Sequence, residues 1–61
     1  MTHVIQLKKN DFVSFKQHSI INREPIKVLN NAEIKKIGGI PCNDYILVMA
    51  NEKLINTFKN R

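Results

Sequence analysis

His3, His18 and Cys42 carry the nitrogen and sulfur donors of this chain, and Asp11, Glu24, Glu33, Asp44 and Glu52 are its carboxylates. A closed zinc site takes four ligands, usually in close-spaced pairs, and the sequence holds neither a Cys-x-x-Cys nor two histidines one helical turn apart. Three such ligands leave a metal site shared between two copies as the sole option. The simpler reading makes both histidines surface residues and Cys42 a small apolar side chain. A nucleophilic thiol needs a neighbouring base, and Cys42, between Pro41 and Asn43, stands in no such context. The five acids fall in turns and at helix starts, where turn bonding and the helix dipole account for them. Gly38-Gly39 follows a basic turn without the Gly-x-Gly-x-x-Gly or Gly-Lys-Ser/Thr setting of a phosphate loop, and reads as a helix stop. No catalytic residue, metal ligand set or cofactor site emerges, so the expectation is a protein that is not an enzyme.

Size argues the same way. A chain of 61 residues makes one domain, 1–61, and buries roughly 60% of the surface it exposes when unfolded. That is a thin core in which to enclose a substrate pocket of roughly a few hundred Å³. The single cysteine rules out an internal disulfide, and a chain this short without staples sits within roughly 3–5 kcal/mol of unfolding, which makes a homodimer or a protein partner a fair expectation. The N-terminal apolar stretch is broken by Gln6 and followed, not preceded, by lysines, unlike a secretory signal. No segment approaches the roughly 18 apolar residues of a membrane span. A cytoplasmic protein with no membrane contact is expected.

The remaining tools are cations. Ten Lys and Arg stand against five acids, a net charge of +5, and such an excess favours anionic partners, nucleic acid foremost. Six of the ten fall in three small groups, Lys8-Lys9, Lys35-Lys36 and Lys59-Asn60-Arg61. In Lys8-Lys9-Asn10-Asp11-Phe12-Val13-Ser14-Phe15-Lys16, two rings lie between lysines. Over four residues, Phe12-Val13-x-Phe15 resembles the aromatic core of the ribonucleoprotein motifs in RNA-recognition and cold-shock domains, where rings on a strand stack bases. Lys9, Asn10 and Asp11 stand where the RNA-recognition pattern has glycine, an aromatic and a small residue, and no family is assigned. Candidate nucleic-acid contacts are Lys8, Lys9, Phe12, Lys16, Lys35 and Lys36. The abundance of Ile, Asn and Lys, all with AT-rich codons, suits a bacterial or phage origin.

These residues need elements to place them. The longest apolar run, Tyr45 to Ala50, reads as a central strand buried on both faces. His3 to Leu7 has β character, and the polar break Lys8 to Asp11 has hairpin length. Phe12 to Gln17 then resumes as a strand, because its residues are poor or middling helix formers; a helix from Asp11 to Asn22 capped by Asn10 is the competing reading. Asn22 to Pro25 is a turn, and Ile26 to Leu29 a third strand. Asn30-Asn31 introduces a short helix over Ala32 to Ile37 that ends at the glycines; an Asn-Asn hairpin into another strand is the alternative. Asn51 caps a terminal helix running from Glu52 to Arg61, with Leu54, Ile55 and Phe58 on one side. Those three cover the sheet or, alternatively, dock on a partner.

The sum is a small α+β domain with an antiparallel or mixed sheet of three to four strands, a short helix and a C-terminal helix. A small SH3-like or OB-like β-barrel is the alternative. In function, the expectation is a basic nucleic-acid-binding or transcription-regulatory module contacting phosphates through lysines. The alternative is a protein-interaction module, an inhibitor, adaptor or small subunit that docks through a strand edge or its last helix.

Overall fold

The strand Tyr45–Asn51 (β3) lies in the middle of a three-stranded sheet, flanked by Thr2–Lys8 (β1) and Ile26–Val28 (β2). The computed structural model describes residues 2–60. Both flanking strands run antiparallel to β3, so β1 and β2 point the same way with β3 inserted between them. Helix Lys9–Asn22 (α1) makes the crossover from one edge to the other, Asn31–Lys36 (α2) follows β2, and Glu52–Lys59 (α3) follows β3. The fold is α+β, as its sequence pattern implies. No residue separates β1 from α1, or β3 from α3.

Register assigns the faces. Pairing of Leu7 with Ile46, Ile5 with Val48 and Ile26 with Ala50 puts their side chains on one side of the sheet. There Leu7, Val48 and Ala50 join Phe15 of α1 and Leu54, Ile55 and Phe58 of α3 in one buried cluster, with Ile5, Phe12, Ile26 and Ile46 packed around it. The Phe15 ring is 0% exposed and meets Phe58 edge to face at 5.1 Å. Truncating a ring so enclosed costs about 3–5 kcal/mol, comparable with the whole stability expected of a chain this small.

Two expectations are corrected. Phe12 to Gln17 is not a strand after a hairpin but the middle of α1, which starts at Lys9 without a side-chain cap, Asn10 included. Propensity misleads here because tertiary packing decides: Phe12, Phe15 and Ser19 recur at helical spacing and turn toward the core, and burial of Phe15 outweighs a few tenths of a kcal/mol per residue. The helix stops at Arg23, which adopts a left-handed conformation (φ 57°) while its N–H and that of Glu24 return to Ile20 and Ser19 carbonyls. Second, β3 is not buried on both faces. Val48 and Ala50 are enclosed, but Tyr45 is exposed and Leu47 and Met49 are half-buried. Both long helices occupy the same side, leaving the six-residue α2 to cover the other.

The shorter elements follow their capping signals. Asn30 accepts from the Glu33 N–H at 2.8 Å while the Glu33 carboxylate accepts from the Asn30 N–H at 3.1 Å, a capping box that decides for helix over hairpin. Asn51 accepts from the Leu54 N–H at 2.8 Å, starting α3 at the end of β3. Its amide also donates to the Glu24 carboxylate, and the Ser19 hydroxyl donates to the Glu24 carbonyl. The turn after α1 is thereby tied to both long helices. Among the described residues no helix is long and apolar enough to cross a membrane. The expected terminal helix ends at Lys59, and Arg61 lies outside the described residues.

Asn51→Ala removes a cap and a tether together and is expected to cost about 1–2 kcal/mol in urea unfolding with an unchanged m-value. Asn22→Ala, at an exposed amide bonded to the His18 carbonyl, should stay within about 0.5 kcal/mol. Glu33 gives a pH signature. The Lys27 ammonium, 2.6 Å away, and then the Asn30 N–H hold its carboxyl below the ordinary range. A folded-state pKa below the unfolded value stabilises the fold above the unfolded pKa, and that contribution is lost as pH falls through the folded one. The melting temperatures of the protein and of Glu33→Gln should therefore differ at neutral pH and converge in acid below the carboxylate range.

Candidate nucleic-acid interface

The side of the sheet away from α1 and α3 carries the alternate residues of each strand. Register places Val4 opposite Met49, Gln6 opposite Leu47 and Lys8 opposite Tyr45, with Lys27 on the far side of Met49. α2 and the turn after it lie over the β2 half of this face. Leu29 and Ile34 are buried, Glu33 holds Lys27, and the Gly39 backbone lies so near that an added Cβ would fall 2.9 Å from Ile34 Cγ2 and 3.9 Å from Leu47 Cδ1. Gly38 takes φ +85° and its N–H returns to the Lys35 carbonyl at 3.0 Å. The paired glycines therefore stop a helix and allow a close approach.

The β1–β3 half is uncovered. Tyr45 is 39% exposed, directly across from Lys8 in the ladder, with Gln6 and Val4 exposed along the same strip. A partly exposed ring beside a cation, on a pleated surface edged with amide and apolar groups, can stack a planar base while ammonium groups meet phosphate. Adjacent positions on paired strands stand about 5 Å apart, the scale of one nucleotide.

The sequence-derived residues divide between the two sides. Lys8 ends β1 on the open face, Lys9 opens α1 at the same corner, and Lys35 and Lys36 close α2, which overlies this face. All four are exposed. Lys16 is exposed on α1, on the opposite side of the sheet. Phe12 is half-buried against the core, so it is not free to stack, and the stretch resembling a ribonucleoprotein motif is helical. Leu54, Ile55 and Phe58 are buried between α3 and the sheet and offer no docking surface. The last helix uses its apolar side to close a core that β3 cannot close alone. Lys27 is ion-paired with Glu33, and of the candidate lysines Lys36 lies within electrostatic reach of the same carboxylate.

Tyr45 is the residue that sequence reasoning missed as a contact. The signal was parity: Tyr45 alternates with Ile46, Val48 and Ala50, so once those face the core it faces away. No group of three or more His, Cys, Asp or Glu able to hold a metal occurs among the described residues. His3 lies 4.0 Å from Glu52, His18 Nδ1 lies 2.9 Å from the Ser14 carbonyl with its ring edge-on to Phe58 at 5.6 Å, and Cys42 is exposed. A search for related proteins finds no matching family model, curated protein or solved structure.

Tyr45 is the chain's one tyrosine and there is no tryptophan, so intrinsic fluorescence reports on this position alone. Iodide should quench its emission in the native protein, less steeply than in urea but measurably, as a ring 39% exposed requires. A native emission shielded from iodide would place the ring under cover.

Proposed function

We propose that this chain is a small, non-enzymatic nucleic-acid-binding protein that takes single-stranded nucleic acid across the β1–β3 half of its open sheet face. One base stacks on Tyr45, and Lys8, Lys9, Lys35 and Lys36 meet the phosphates. The observation that carries this reading is the pairing of the exposed Tyr45 ring with Lys8 on an uncovered sheet. A net charge of +5 and the exposure of all four lysines support it, since phosphate contacts supply most of the affinity of non-specific binding. Unstacked bases reach a ring that a duplex keeps covered, which favours single strands. Regulatory action follows from occupancy of the strand, with no reaction required.

A second reading, a protein-docking module, draws on α1. Val13, Ile20 and Ile21 are 58%, 68% and 78% exposed, on the side of the helix turned from the core. It would gain if nucleic acid failed to bind.

Titration of labelled single-stranded and duplex oligonucleotides decides. With four phosphate contacts the logarithmic salt slope for single strands is about −3, so raising salt from about 50 to 200 mM should weaken binding roughly 50-fold. Tyr45→Ala is expected to cost about 1–3 kcal/mol of affinity. Lys8→Glu with Lys9→Glu should weaken binding further without lowering the melting temperature. Absence of binding at low salt, or an affinity indifferent to Tyr45, would overturn the proposal.

A further inference from the structure

α1 carries a second pattern beside the one that faces the core. Lys9, Val13, Lys16 and Ile20 recur at steps of four, three and four residues, the spacing of a seam along which one helix packs on another. All four are exposed. Phe15 and His18 meet Phe58 of α3, so at about 100° per residue the seam lies on the flank of α1 turned away from α3. α3 itself follows the β1 margin, where Ile55 and Asn56 stand beside residues 3–5. The free flank of α1 therefore looks toward β2. There Val28 pairs with Val48, which puts its side chain on the helix side of the sheet, yet it is 49% exposed. The seam and Val28 form the wall and floor of a step.

We propose that this step receives an amphipathic helix of a protein partner, one that carries an acidic residue at every seventh position and lies beside α1 as a third helix of the layer. Charge and spacing select it. The cations stand in line with the aliphatic residues, Lys9 and Lys16 alternating with Val13 and Ile20, and Arg23 follows where the helix ends. No carboxylate of α1 shares this flank: Asp11, seven residues before His18, is on the α3 side, and Glu24 beyond the helix is bonded to Asn51. A facing helix with acids seven apart matches the rise of about 10.5 Å between Lys9 and Lys16, and its apolar residues meet Val13, Ile20 and Val28. A second copy would set lysine against lysine. A bilayer would have to bury the lysines along with the aliphatic groups between them. This inference rests on the protein-docking reading of α1 and gives it a partner; it is independent of nucleic acid on the opposite face of the sheet.

The probe is a hydrocarbon-stapled helix of about 14 residues, with Leu and Glu alternating at the same three- and four-residue steps, titrated into the full chain while its backbone amide resonances are followed. Shifts are expected along residues 9–21 and at Val28, with a Kd of about 10–100 µM. Lys16→Glu should weaken binding about tenfold and restore it to a probe whose Glu are replaced by Lys. Ile20→Ser, at an exposed site, should weaken it about fivefold with the melting temperature unchanged, and circular dichroism checks that each variant is folded. No shift at about 1 mM probe would overturn the proposal and the docking reading together. Equal affinity for a probe with Gln in place of Glu would overturn the proposal alone, leaving a docking face that charge does not select. Binding to phosphatidylserine vesicles with none to the helix would also overturn it and assign the flank to lipid.

Discussion

Phe15 and Phe58 hold this molecule to its shape. Their rings meet edge to face at 5.1 Å above Val48, Ala50 and Leu54, a contact worth about 0.5–1.5 kcal/mol beyond the burial of the rings. Its larger effect is geometric: α1 and α3 are drawn to the same side of a three-stranded sheet. Two helices suffice for one face of three short strands. The other face is left with a six-residue helix over its β2 half, and the remainder meets solvent.

That imbalance sets which groups the surface presents. The interior is apolar, one cluster between the long helices and the sheet with Leu29 and Ile34 buried outside it, and the buried polar side chain among the described residues, Ser19, already donates to the Glu24 carbonyl. Histidines, cysteine and acids are dispersed over the surface or used in caps. The open half of the sheet presents a ring, cations and amide groups on pleated backbone. A pleated surface spaces its side chains at fixed intervals, which suits a repetitive ligand better than a loop would.

Much of this architecture was legible from punctuation. Asn30 with Glu33, Asn51 before Glu52, and the unbroken apolar run of β3 each mark an element by local bonding or burial, and each element is where those signals put it. α1 was hidden for a physical reason. Val13, Ile20 and Ile21 point outward while Phe12 and Phe15 point inward, so apolar residues surround the helix and cancel the periodicity that would have revealed it. The candidate lysines could be named from composition, but their division between two faces depends on the path of α1. Tyr45 was concealed by its neighbours, because an apolar run does not show which of its members are turned away from the core.

The direct passage from strand into helix, at Lys8 to Lys9 and again at Asn51 to Glu52, ties the phase of each helix to the pleat that precedes it. An extra residue at either point would turn the following helix by about 100° and swing Phe15 or Phe58 out of the interior. Evolution can therefore lengthen this chain cheaply between Ile40 and Asp44, but hardly at all where sheet becomes helix.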